Sequence, residues 1–152
     1  GAGIADAVLE FLVASGEILL VTTPEPTSIT DSYSLLKALN RHSRFSQEYT
    51  SINVLANKVR NADEGDMLYH KLNTVVSRYL KLPIEYIGYI PQDELLARAV
   101  MQQTPVSIQN ESAKSSLAYR ELAGRLMNGE KESLKVKRGT MAFFSHIMTG
   151  RR

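Results

Sequence analysis

Cysteine and tryptophan are both absent from this chain of 152 residues. Without thiols there is no disulfide framework, no thiolate metal site and no cysteine nucleophile. That absence fits a reducing cytoplasm. No apolar run approaches the roughly 20 residues that cross a bilayer, and no signal peptide is visible. Charge of one sign is scarce: the formal net charge of +2 is too small by itself to argue for nucleic acid. A phosphate-binding loop of the form GxxxxGK[ST] is missing as well. The nearest string runs from Gly124 to Lys131 and has Glu130 where the lysine belongs. His42, His70 and His146 show neither ligand spacing nor a nucleophile partner, so none is assigned a catalytic role.

What remains is ordinary globular composition, 43% apolar and 22% charged, at a length that suits one domain or part of a larger one. The chain begins Gly1-Ala2-Gly3-Ile4, without an initiator methionine, and runs straight into an apolar helical pattern. It is therefore read as the C-terminal part of a longer protein.

The organising stretch is Glu17 to Leu39. Ile18-Leu19-Leu20-Val21 is short and apolar, as a buried strand would be. The loop Thr22 to Thr27 contains Pro24 and Pro26, each fixing φ and donating no hydrogen bond. Ser28 or Thr30 is expected to cap the following helix, over Thr30–Arg41, with Asp31 near its positive end. Polar and acidic groups are thus held where a strand ends and a helix begins, the edge of an open α/β sheet at which ligands usually bind.

Elsewhere the spacing predicts helices over Ala5–Ala14, from a first turn at Asp63-Glu64-Gly65-Asp66 to about Leu80, over Glu94–Gln103 and over Ser112–Met127. Leu68, Leu72, Val75, Val76 and Tyr79 are expected to face inward on the second of these, and Leu96, Ala99 and Val100 on the third. Further strands are predicted at Ser51–Ala56 and Ile84–Ile90. Alternation of helix and strand implies an α/β fold, a parallel sheet with helices on both faces. Its remaining strands are expected upstream of Gly1.

Individual residues admit two readings each. Asn57, just past a strand, is either a turn asparagine or an amide able to read a purine edge. Pro91 and Asp93 either wall a base or form a strand-end turn and a helix cap. Asp63, Glu64 and Asp66 lack calcium-loop spacing and read as charge at a helix N-terminus. From Leu134 to Arg152 the basic residues are Lys135, Lys137, Arg138, Arg151 and Arg152, with no acid. They flank Met141, Phe144, Ile147 and Met148 on one helical face, with Phe143 beside them. Such a helix either lies in an anionic membrane interface or docks on protein.

Taken together, these segments resemble the MinD/ParA-type ATPases with a deviant Walker motif, and within them the branch that regulates flagellar number. Gly1-Ala2-Gly3-Ile4 is similar to the end of the family's switch II segment. Thr23-Pro24-Glu25-Pro26-Thr27-Ser28-Ile29-Thr30-Asp31 is similar to the loop and helix start of the flagellar branch. Leu55 to Arg60, followed by Glu64-Gly65, resembles the adenine-recognition segment, and Gly88 to Asp93 the stretch that lines the base. Gly139 to Phe144 resembles the C-terminal membrane-targeting helix of the same branch.

The resemblance implies the C-terminal half of a P-loop NTPase-type sheet over residues 1–132 and a membrane-targeting tail over residues 133–152. Asn57 would read adenine with Pro91 and Asp93 around the base, and Glu25 would reach the partner subunit's nucleotide in an ATP-dependent homodimer. Gly1 and Gly3 would belong to the switch that senses the γ-phosphate. Phe143, Phe144, Ile147, Met148, Lys137 and Arg138 would meet an anionic membrane, placing the protein on the inner face of the cell membrane. ATP and Mg²⁺ are the implied ligands, with the Walker lysines and Mg²⁺ ligands upstream of Gly1. This stretch alone is therefore expected not to hydrolyse ATP. Implied partners are a flagellar GTPase and a flagellar transcription regulator. Two rivals stand beside this reading: a partition-type ATPase that binds DNA, disfavoured by the loop and tail, and a non-catalytic interaction half.

Overall fold

A computed structural model describes residues 6–128. The element order is α1 (Asp6–Ala14), β1 (Glu17–Thr22), α2 (Pro26–Arg41), β2 (Ser51–Val59), α3 (Ala62–Tyr79), β3 (Glu85–Pro91), α4 (Glu94–Met101), α5 (Val106–Gln109) and α6 (Lys114–Asn128). The strands form one parallel sheet in the order β1-β2-β3, as the helix–strand alternation requires. Gly1, Gly3, the domain boundary at residue 133 and the whole tail, with Phe143, Phe144, Ile147, Met148, Lys137 and Arg138, lie outside the described residues.

Burial follows position in the sheet. Strand β2 is central, and residues Ile52 through Ala56 are all buried, on both faces. By contrast β1 alternates: Ile18, Leu20 and Thr22 are buried, while Leu19 and Val21 are 41% and 48% exposed. The main core joins Ile18, Leu20, Ile52 and Val54 to Leu36 and Leu39 of α2 and to Leu68, Leu72 and Val76 of α3. Leu55 and Ile87 are buried outside that cluster, and α6 lies against β3, its Arg125 Nη1 donating to Ile87 O at 2.8 Å. Helices thus cover both faces of the sheet.

Two local devices shape the carboxyl edge of the sheet. Register shifts fall between Val54 and Leu55 and between Asn57 and Val59, where β2 meets β3. Lys58 there adopts φ +57°, and Gly88 of β3 adopts φ +133°, a conformation that side chains other than glycine's rarely tolerate. Bulges of this kind redirect side chains and recur beside functional sites. Gly65, in the first turn of α3, lets the helix approach the sheet closely. A Cβ there would stand 2.5 Å from Tyr86 Oη and 3.2 Å from Tyr89 Cβ.

Several expectations need correction. Helix α2 starts at Pro26, not Thr30, and its N-cap is Glu25 with no side-chain cap. Proline at the first helical position has its φ preset and no N–H to satisfy, so the helix begins without help from Ser28 or Thr30. Both lie inside it: Ser28 Oγ accepts from Thr23 N–H at 3.0 Å, and Thr30 Oγ1 donates to Pro26 O at 2.9 Å. Strand β2 runs on to Val59 because pairing resumes past the bulge, Val59 opposite Pro91. Tyr79 and Val100 are 65% and 67% exposed. Tyr79 stands in the last turn with the Arg78 guanidinium 5.4 Å above its ring. The inward aromatic is Tyr69, whose hydroxyl donates to Ile84 O at 2.9 Å. Helix α4 packs inward through Ala99 and Leu96 alone. The break at Thr104-Pro105-Val106 becomes the start of α5, with Pro105 at its N-cap.

Candidate functional site: the carboxyl edge of the sheet

Three parallel strands deliver three loops to one edge: Thr22–Glu25 after β1, Asn57–Asn61 at the end of β2, and Pro91–Asp93 after β3. Glu25, Asn57 and the Pro91–Asp93 turn, far apart in the chain, therefore share one rim of the fold. Parallel crossovers produce this without any contact among the three.

On the β1 side, Glu25 and Lys58 line one open hollow of about 880 Å³ with the hydroxyls of Thr23 and Ser28 and the carboxylate of Asp31. The Glu25 carboxyl is held below its ordinary value, first by a hydrogen bond with the Thr23 side chain, then by its own backbone N–H, with a contribution from the Lys58 charge. Lys58 reaches this hollow through the left-handed turn at the end of β2. That turn also occupies Asn57: its Oδ1 accepts from Lys58 N–H at 3.0 Å. Asn57 is half-buried and lines neither this hollow nor the cavity between β3 and α6.

On the β3 side, Pro91, Tyr89, Arg60, Lys114 and Arg125 border a cavity of about 440 Å³ between β3 and α6. Asn61, which also lines it, caps α3, its Oδ1 accepting from Glu64 N–H at 3.0 Å. Glu64 in turn accepts from the Arg60 backbone N–H and from Arg60 Nε at 2.5 and 3.0 Å. The Arg60 side chain pushes the Glu64 carboxyl below its usual value. Asp93 stands apart from that cavity, beside Arg60 and Lys114. Its Oδ1 accepts from Leu95 N–H at 2.9 Å, capping α4, and its Oδ2 accepts from Ser115 N–H at 3.0 Å and Ser115 Oγ–H at 2.8 Å. The Ser115 N–H is the main reason its carboxyl lies below the ordinary value.

The sequence reading did not single out Lys58, Ser115 or Arg125. A lysine in a left-handed turn has no local signature. Ser115 meets Asp93 across 22 residues of chain, and Arg125 meets Ile87 across 38. Among the described residues no group of three or more His, Cys, Asp or Glu could hold a metal ion, and no helix is long and apolar enough to cross a membrane.

The fold, a parallel α/β sheet with its loops gathered at the carboxyl edge, is of the ParA type. A crystal structure of a ParA family ATPase from Chlorobium tepidum superposes with a TM-score of 0.57 over 83% of this chain and 47% of that one, at 21% identity. The antiactivator FleN of Pseudomonas aeruginosa is 42% identical over 125 residues, 82% of this chain and 43% of FleN. The flagellum site-determining protein YlxH of Helicobacter pylori is 29% identical over 97% of this chain and 49% of its own length. The septum site-determining protein MinD of Escherichia coli is 27% identical over 98% of this chain and 55% of its own. No protein-family model matches. The chain belongs to the MinD/ParA family, on the side of its flagellar regulators. It spans about half the length of the curated relatives it matches.

Proposed function

We propose that this chain forms the base-binding edge of an ATP-driven dimerisation switch that works at the inner membrane surface and regulates flagellar number or placement. The observation that carries the reading is the convergence, at one sheet edge, of the three segments that resemble the family's own. These are the Glu25 loop, the Asn57–Arg60 turn and the Pro91–Asp93 turn. The likeness to FleN and YlxH supports the flagellar branch.

In this reading Asn57 presents its side-chain amide to adenine, and Pro91 offers its ring to the face of the base. Glu25, exposed and held ionised, reaches the nucleotide of the second subunit. ATP supplies the binding energy for the homodimer, and its hydrolysis to ADP and phosphate ends it. Phosphoryl transfer depends on positioned cations and Mg²⁺ around the γ-phosphate. The sequence contains no GxxxxGK[ST] loop to supply them, and in this reading the isolated chain of 152 residues has no turnover of its own. Gly1 and Gly3 belong to the γ-phosphate switch, and Lys137, Arg138, Phe143, Phe144, Ile147 and Met148 form the membrane-binding face. A flagellar GTPase and a flagellar transcription regulator are the protein partners.

Titration of the full-length protein with ATP tests the base site. Asn57→Ala should weaken binding about tenfold, the worth of one or two hydrogen bonds to a base; an unchanged Kd removes Asn57 from the site. Liposome co-sedimentation with Phe144→Glu tests the tail, where unaltered binding defeats the membrane assignment. DNA binding without liposome binding would move the protein to the partition class.

A further inference from the structure

Asp93 is fastened more heavily than a residue that simply faces a ligand needs to be. Its two carboxylate oxygens together accept three hydrogen bonds, from Leu95 N–H, Ser115 N–H and Ser115 Oγ–H. One carboxylate thus stands at the first turns of both α4 and α6. Two helix N-termini carry like partial charge and repel when brought together, and an anion between them stabilises both. Ser115 is fully buried, and Ser116 beside it donates to Asn110 O at 2.6 Å. The α5–α6 turn is therefore locked to the exit of β3 through this carboxylate.

The same exit is fastened to β2. Gln92 N–H donates to Val59 O at 2.8 Å, just past the turn that carries Asn57 and Lys58. At its far end α6 is strapped to β3 by Arg125 on Ile87 O. The Pro91–Gln92 segment is held between these attachments, and of them only the Asp93–Ser115 link joins its exit to α6 through side chains.

We infer that Asp93 is a positioning residue: with Ser115 it sets the placement of Pro91 and Gln92 at the base-binding edge, without itself contacting the base. This rests on the nucleotide reading above. In Asp93→Asn one of the two oxygens becomes an amide NH₂, so either Leu95 N–H or the buried Ser115 hydroxyl and N–H lose their acceptor, the costly half of breaking a hydrogen bond. The first turn of α6 then loses its anchor and the β3 exit its register.

The test is calorimetric titration of the full-length protein with ATP, GTP and inorganic tripolyphosphate, for wild type, Asp93→Asn, Ser115→Ala and the double variant. Asp93→Asn should raise the ATP Kd about tenfold and Ser115→Ala about threefold. The double variant should be no weaker than Asp93→Asn alone, the non-additivity of one shared link. The ATP-to-GTP ratio and the tripolyphosphate Kd should not move. Direct contact with the base would shift the ATP-to-GTP ratio in Asp93→Asn while leaving Ser115→Ala silent, and that result overturns the inference. Equal weakening toward tripolyphosphate points to general damage and overturns it as well. If wild type binds ATP and Ser115→Ala binds it equally well, the inference fails alone. If wild type binds no ATP, the nucleotide reading fails and takes the inference with it.

Discussion

Gly65→Ala and Gly124→Ala make the same chemical change in two helices and should have opposite signs. Alanine is better than glycine in a helix by about 1 kcal/mol, and both glycines sit within helices. At Gly124 nothing lies within 4 Å of the new methyl, so the propensity gain of roughly 0.5–1 kcal/mol should appear almost whole. At Gly65 the methyl would stand 2.5 Å from Tyr86 Oη, 3.2 Å from Tyr89 Cβ and 3.6 Å from Ala56 Cβ. The hydroxyl is the far end of its side chain, but Tyr86 is 2% exposed and stacked on Tyr69 at 5.2 Å, so it cannot swing aside without moving a second buried ring. Overpacking of this kind costs about 1–3 kcal/mol and should outweigh the gain, leaving Gly65→Ala destabilised by about 1 kcal/mol or more. Urea unfolding of both variants beside wild type reads the difference as a shift in midpoint at constant slope. A Gly65→Ala midpoint above wild type would refute the close-approach argument.

Three further outcomes are expected. Lys58→Gly should raise the urea midpoint by the equivalent of about 1 kcal/mol, since Lys58 holds a left-handed φ of +57° that costs a side-chain-bearing residue about 1–2 kcal/mol; a loss of stability would mean that the lysine side chain outweighs the strain. Asn61→Ala removes the acceptor for Glu64 N–H at the start of α3 and should cost about 1 kcal/mol, whereas Asn61→Asp should keep most of it. For Asp93 the folded-state pKa lies below the ordinary carboxylate value, so its stabilisation is full above the unfolded pKa and disappears as pH falls through the folded one. Asp93→Asn should accordingly be less stable than wild type at neutral pH, with the gap closing in acid; a gap that stays constant across that range would remove the charge from the explanation.

Much of the architecture was legible because it depends on local pattern. Four short apolar residues at Ile18–Val21 make a strand and helical spacing through Leu35, Leu36 and Leu39 makes a helix. The alternation of such segments dictates parallel crossovers and a shared carboxyl edge. Inward faces were harder. Tyr79 fits the helical stripe of α3 and yet is exposed, while Tyr69, one step off the stripe, is buried. Periodicity gives a direction on a helix but not the edge at which its neighbours end. The α2 cap was missed for a different reason: Ser28 and Thr30 match a capping preference, but Pro26 starts the helix earlier because its φ is already helical.

The sequence by itself determined the fold class, the parallel order of events along the chain and, through the Thr23–Asp31 and Gly88–Asp93 runs, the family. Those properties reside in stretches of a few residues each. Tertiary structure alone decided how the edge is wired. It put Lys58 in a left-handed turn beside Glu25, drew Gly65 against Tyr86, and spent both Asp93 oxygens on α4 and α6. Each of these joins residues whose separation in sequence carries no information about their distance in space. A carboxylate after a strand carries no local sign that it ties two helices together; the residue that reveals it, Ser115, lies 22 positions further on.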